Sequence, residues 1–80
     1  MGILREEIKG DMIYNIIKSS NIKESTYNVS TGVMTVMFNN GQQYEYKDVP
    51  HKVYAQFRLS ESQGKFFTSE ISKKYEYKKL

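Results

Sequence analysis

The chain has 80 residues, with twelve Lys+Arg against nine Asp+Glu and a formal charge of +3. Hydrophobic residues at 39% and charged residues at 26% match an ordinary folded domain and exclude wholesale disorder. The lack of cysteine excludes a disulfide framework, a thiol nucleophile and a thiolate zinc site, and the single histidine, His51, excludes a paired-histidine metal motif.

A domain this small buries only about 60% of its unfolded surface, which leaves little room for an internal catalytic cleft. No apolar run approaches the roughly 18 residues of a membrane span. The stretch Met1-Gly2-Ile3-Leu4-Arg5-Glu6-Glu7 lacks the apolar core of a signal peptide, and Glu6 stands where a myristoylation motif has Ser or Thr. Asn28-Val29-Ser30 is a glycosylation sequon that matters only after export. With no cysteine, these features predict a soluble cytoplasmic protein. Charge is uneven: residues 1–45 carry four basic and five acidic residues, a net −1, whereas residues 46–80 carry eight and four, a net +4. That basic half is the footprint of an anionic partner or an ordinary solvated lysine surface.

In chain order, Gly2 to Lys9 reads as a short helix: Ile3, Leu4 and Ile8 share a face, and Gly10 is placed to end it. Eight residues cannot hold a helix alone in water, so this one needs a surface to pack on. Residues 1–11 thus form an N-terminal helical extension, and residues 12–80 a single domain. Met12 to Lys18, with Met12, Ile13, Tyr14, Ile16 and Ile17, is β-branched and aromatic and predicts a strand. Ser19-Ser20-Asn21 interrupts it, Ile22 to Tyr27 resumes extended structure, and Asn28 to Gly32 carries turn residues.

Val33 to Phe38 predicts a strand with Met34, Val36 and Phe38 on one face. Asn39-Asn40-Gly41 predicts the tightest turn of the fold, at Asn40-Gly41, and Gln43 to Lys47 is the return strand with Tyr44 and Tyr46 on one face. Pro50 suits the start of a helix whose face carries Val53, Tyr54 and Phe57. Ser60 or Ser62 caps a second helix that runs to about Lys74, with Phe67, Ile71 and Tyr75 every fourth residue. The tetrapeptide Tyr-Glu-Tyr-Lys occurs at Tyr44 and again at Tyr75, too short to define a repeat. These elements predict an α+β domain, an antiparallel sheet of three to four strands packed by two C-terminal helices, with the short extra helix at its N-terminus.

Ser19-Ser20-Asn21-Ile22, Tyr27, Val36, Phe38, Gly41, Tyr44-x-Tyr46, Val49-Pro50, Val53-Tyr54, Ser62-x-Gly64, Phe66-Phe67, Ile71 and Tyr75 follow one another in an order that resembles the KTSC domain family. That family takes its name from the C-terminus of some lysyl-tRNA synthetases and includes small proteins of bacteria and phages. The resemblance runs from Ser19 to Tyr75. Thr26 stands where the family often has Gly, and Thr68 where Asn is common. The resemblance implies the fold, and the synthetase context implies RNA as a partner.

Tyr44 and Tyr46 are candidate stacking platforms for unpaired bases, or else core aromatics beneath the helices. Lys47, Lys52, Lys65, Lys73 and Lys74 are candidate phosphate contacts, with Lys78 and Lys79 beside them, or else solvate helix faces among interleaved glutamates. Ser19-Ser20-Asn21 reads as a turn closed by its own side chains. No Gly-rich phosphate loop, carboxylate pair or partnered histidine is present, so the expected protein is not an enzyme and takes no cofactor. The expected function is a small module that binds RNA or another nucleic acid. The alternative is a phage-borne or mobile-element protein that binds a host protein, and a weaker one is capture of a small nucleotide.

Overall fold

The computed structural model describes the backbone from Gly2 to Leu80 and the side chains from Leu4 onward. Its described residues form one six-stranded antiparallel sheet in simple meander order: β1 (Gly2–Lys9), β2 (Met12–Lys18), β3 (Ile22–Asn28), β4 (Val33–Phe38), β5 (Gln43–Tyr46) and β6 (Tyr77–Lys79). Two short helices, α1 (His51–Leu59) and α2 (Gln63–Phe66), lie between β5 and β6, and α2 continues into a wider π turn over Phe67–Ile71.

The expected sheet of three to four strands is therefore corrected to six, and the expected N-terminal helix to a strand. Leu, Arg, Glu and Lys favour a helix over residues 2–9 on propensity, but a lone eight-residue helix has too few hydrogen bonds to persist. Pairing with β2 satisfies the same backbone groups along a full edge, from Gly2 opposite Lys18 to Lys9 opposite Met12. Gly10 has φ of 59°, which fits both a helix C-terminus and the first central residue of a type II′ turn. Since Lys9 and Met12 pair directly, Gly10-Asp11 is the two-residue turn, and it is tighter than the one at Asn40-Gly41.

The hairpin between β4 and β5 forms where expected, with one more loop residue than a bare Asn-Gly turn. Gly41 N–H donates to the Phe38 carbonyl at 2.9 Å, and Phe38 N–H to the Gln42 carbonyl at 2.9 Å, which encloses Asn39, Asn40 and Gly41. Only Gly41 takes positive φ there, at 89°. Asn39 instead clamps the neighbouring turn: its Nδ2 donates to the carbonyls of Ser19 and Ser20 at 3.1 and 2.9 Å. The Ser19-Ser20-Asn21 stretch is thus a turn, as its composition predicts.

The second correction lies at the C-terminus. The second helix stops as a regular α-helix at Phe66, well short of Lys74. Ser62 caps it, accepting from Lys65 N–H at 3.4 Å. Thr68, Ser69 and Ser72 hydroxyls then donate back to the carbonyls four residues earlier, at 2.9 Å each. Such back-bonding bends helices, and Ser72 N–H closes on the Phe67 carbonyl five residues back at 2.8 Å. The chain then turns through residues 72–76, and Tyr77–Lys79 adds β6 to the sheet edge instead of trailing off.

One face of the sheet is covered. Ile13, Ile17, Ile22, Tyr27, Met34, Val36 and Tyr46 point from it into the core, where Tyr54, Phe57, Phe67 and Ile71 meet them. The loop before α1 crosses over the end of the β3–β4 hairpin. Val49 N–H donates to the Gly32 carbonyl at 2.9 Å, and the Tyr27 hydroxyl donates to the Val49 carbonyl. A side chain at Gly32, whose φ is 74°, would press on that same Val49 carbonyl. On the other face Tyr14 and Ile16 stay exposed, at 40% and 42%.

Gly10→Val and Gly41→Val should each lower stability by about 1–3 kcal/mol, since a β-branched residue disfavours positive φ. Neither site has a neighbour within 4 Å of an added Cβ, so the loss reports backbone strain and not a clash. Urea unfolding of each variant measures it.

Candidate nucleic-acid interface

The two tyrosines singled out from the sequence lie on the covered face of the sheet. Tyr46 sits opposite Met34 in β4 and Tyr44 opposite Val36, both core positions. Tyr46 is 4% exposed, and its ring packs edge-on against Phe67 at 5.2 Å. Tyr44 is partly covered and meets Phe38 edge-on at 5.6 Å. Tyr46 therefore fills the interior and Tyr44 packs at its margin, as same-face aromatics under helices ordinarily do.

Beside this pair, the aromatic that reaches solvent is Tyr77 on β6. It lies opposite Tyr46 and packs at 5.6 Å from both Tyr44 and Tyr46, yet 59% of its surface is exposed. Tyr77 is thus the outer member of an aromatic cluster rooted in the core. The sequence carried its signal in the repeated Tyr-Glu-Tyr-Lys: the last three residues of each copy, 45–47 and 76–78, run antiparallel side by side where β6 joins β5. Glu45 stands opposite Lys78, and Lys47 N–H donates to the Glu76 carbonyl at 3.0 Å. The repeat's alternating charge makes it self-complementary when antiparallel.

Lys47, Lys73, Lys74 and Lys78 line an open groove of about 660 Å³ with Tyr75 and Tyr77 between them. Lys73 also lines the adjoining groove, which holds Lys65, Asn21, Thr68 and Ser69. The structure thus brings Lys47, Lys65, Lys73 and Lys74 of the expected set onto one side of the molecule. Lys52 lines neither groove; it is exposed in the first turn of α1. Glu76 lines the first groove with them, Lys74 is paired with Glu70 at 3.0 Å, and Lys78 stands opposite Glu45, so Lys47, Lys65 and Lys73 are the least compensated of these lysines. The close approach of α2 to the Ser19 turn shapes the second groove. A Cβ at Gly64 would stand 3.3 Å from Ser19 Oγ and 3.7 Å from Asn21 Nδ2.

Away from the grooves, a buried polar junction anchors α1. Asn15 Nδ2 donates to the Tyr54 hydroxyl at 2.6 Å, and that hydroxyl is 3.0 Å from Ser25 Oγ. Tyr54 stacks on Tyr27 at 4.6 Å, and Tyr27 in turn lies 5.9 Å from the exposed His51 ring. Burial raises the Tyr54 pKa, against hydrogen bonds from Ser25 and Asn15 that lower it. Burial also raises the pKa of Tyr27, and that of Tyr46 with help from Tyr77 and Tyr44. Among the described residues no three His, Asp or Glu side chains gather to hold a metal ion, and no helix is long and apolar enough to cross a membrane.

This is a small α+β domain built on a single antiparallel meander with its helices on one face. The chain belongs to the KTSC domain family, whose model matches residues 18–75. It is 35% identical over 63 residues to a lysine–tRNA ligase of Trichormus variabilis, a match that takes in 79% of this chain and 11% of the ligase. It also superposes on the crystal structure of a KTSC domain protein from Yersinia pestis with a TM-score of 0.79 and 27% identity, covering 86% of this chain and 97% of that one. Strand β1, all of β2 but its last residue, and β6 lie outside the matched family segment.

Three of the seven tyrosines, Tyr27, Tyr46 and Tyr54, should ionise later than the rest in a spectrophotometric titration. Their folded pKa values lie above the unfolded value near 10, so the unfolded chain loses those protons first as pH rises. Stability from these groups is complete below about pH 10 and falls as pH climbs through the folded values. Tyr54→Phe should remove part of that alkaline dependence and cost about 1–3 kcal/mol at neutral pH, because Asn15 and Ser25 lose a buried partner.

Proposed function

We propose that this chain is a non-enzymatic module that binds single-stranded RNA. The supporting observation is the basic groove in which Lys47, Lys73 and Lys78 surround Tyr75 and the exposed Tyr77. Lysines neutralise phosphates without reading sequence, and a ring fixed at one edge offers a face on which a base stacks. Tyr77 takes the role expected of Tyr44 and Tyr46, which hold it in place from beneath. The similarity to a lysine–tRNA ligase supports RNA as the polyanion. A cysteine-free binder of this kind suits the reducing cytoplasm.

Fluorescence anisotropy with single-stranded RNA, duplex RNA and single-stranded DNA at several salt concentrations tests the reading. About 3 phosphate contacts predict a slope of log affinity against log salt near −2 on single strands. Lys47→Gln with Lys73→Gln should flatten that slope by about 1–2 units. Tyr77→Leu should weaken binding about tenfold at every salt concentration and leave the slope unchanged. Tyr77 lies at the surface, so that variant keeps the core that Tyr46→Leu would breach. No binding to any of the three at about 50 mM salt, where electrostatic attraction is strong, ends the nucleic-acid reading. The open sheet face around Tyr14 and Ile16 then favours a protein partner.

A further inference from the structure

We propose that β1 is a self-association edge: two copies of this chain pair antiparallel through Leu4–Ile8 about a twofold axis at Glu6, joining their sheets into one of twelve strands (6 from each copy). β1 is an outer strand whose second side pairs with nothing among the described residues, so its outward N–H and C=O groups form a template for another strand. Leu4 and Ile8 are 64% and 65% exposed, two large apolar side chains on an edge otherwise charged.

Charge order identifies the partner. Proteins commonly put charges on edge strands to repel other strands. Here the order Leu4-Arg5-Glu6-Glu7-Ile8 is complementary to itself. A twofold axis perpendicular to the sheet keeps the helices of both copies on one side and pairs residues of the same face, which allows only registers shifted by two. Centred on Glu6, Arg5 faces the second copy's Glu7 and Leu4 faces its Ile8, each pair occurring twice. Centring on Arg5 sets Arg5 against itself, and centring on Glu7 sets Glu7 against itself and Arg5 against Lys9. Centring on Ile8 sets Glu7 against Lys9 but leaves only residues 7–9 of the strand paired before the Gly10-Asp11 turn. Cross-strand like charges are unfavourable, so the Glu6-centred register gives the longest favourable pairing.

The axis residue is already neutralised within its own chain. Arg58 of α1 grips Glu6 through two hydrogen bonds, Nε to Oε2 at 2.9 Å and Nη2 to Oε1 at 2.7 Å. Two such pairs meeting at the axis do not repel as bare carboxylates would. On the opposite face Arg5 and Glu7 already lie 3.3 Å apart, so the two copies bring together a ring of four alternating charges. The bulge between Ile3 and Arg5 falls at Leu4, so the regular run is residues 5–9 and the Leu4 contact lies at its end. β1 precedes the matched family segment, and the basic groove lies at the opposite sheet edge, so this association is independent of RNA binding.

Sedimentation velocity on the full chain from about 1 μM to about 1 mM tests it, and a concentration-dependent dimer is expected. Arg5→Glu and Glu7→Arg should each weaken that dimer about tenfold or more, since each opposes two like-charged pairs. Both side chains are well exposed, so circular dichroism should show the fold retained. A mixture of the two single variants should recover association as a heterodimer, each chain supplying the charge the other lacks, and the double variant should recover the homodimer. Ile8→Lys should weaken every combination. A monomer throughout the range overturns the proposal, as does a dimer indifferent to Arg5→Glu and Glu7→Arg, or a mixture that fails to recover.

Discussion

Everything on the covered side of the sheet depends on how Tyr54 is seated. A nine-residue helix has almost no stability of its own, so α1 persists because of what it touches. Tyr54 gives it both apolar and polar attachment. Its ring stacks between Tyr27 and Phe57, while its hydroxyl bridges Asn15 on β2 and Ser25 on β3. Arg58, one turn further on, reaches Glu6 on β1. One helix thus ties three successive strands, and the polar contacts dictate where along the sheet it sits. Apolar burial alone is indifferent to small slides, whereas a buried hydroxyl displaced from its partners incurs the full cost of desolvation.

With the interior closed in this way, the two ends of the meander acquire different characters. At the β6 edge, aromatic packing runs outward from Phe67 through Tyr46 to Tyr77 and surfaces among lysines. A ring held from below loses little freedom when a planar ligand lands on it, which suits it to stacking. At the β1 edge the strand is long, and exposed Leu4 and Ile8 flank three successive charged residues. Strands β1 and β6 lie outside the residues matched by the family model, whereas Lys47, Lys73, Lys74 and Tyr75 of the groove lie within them.

Much of the interior was legible because periodicity reports burial directly. Met34 and Val36 of β4, Tyr54 and Phe57 of α1, and Phe67 and Ile71 beyond α2 all sit where their spacing placed them. The ends misled for a physical reason. Residues 2–9 have the composition of a helix, and Gly10 with positive φ serves a helix terminus and a type II′ turn equally well. Only Met12–Lys18 lying alongside decides between them. The last residues carry no predicted element because three residues of strand have no period of their own. Their meaning lay in the copy of the same tetrapeptide thirty-one residues earlier (75 minus 44), which they join in the sheet.

The sequence by itself determined that this is a small cysteine-free α+β domain, which residues form the central β4–β5 hairpin, and which faces of its strands and first helix are apolar. These properties follow from local alternation and from turn residues whose preferences act within a few positions. Tertiary structure alone decided that the sheet has six strands, that Tyr46 lies inside, Tyr44 at the core's margin and Tyr77 out, and which lysines share a groove. Each of those outcomes depends on partners far apart in the chain. A backbone edge takes whichever strand satisfies its hydrogen bonds, and an aromatic ring is core or surface according to what covers it.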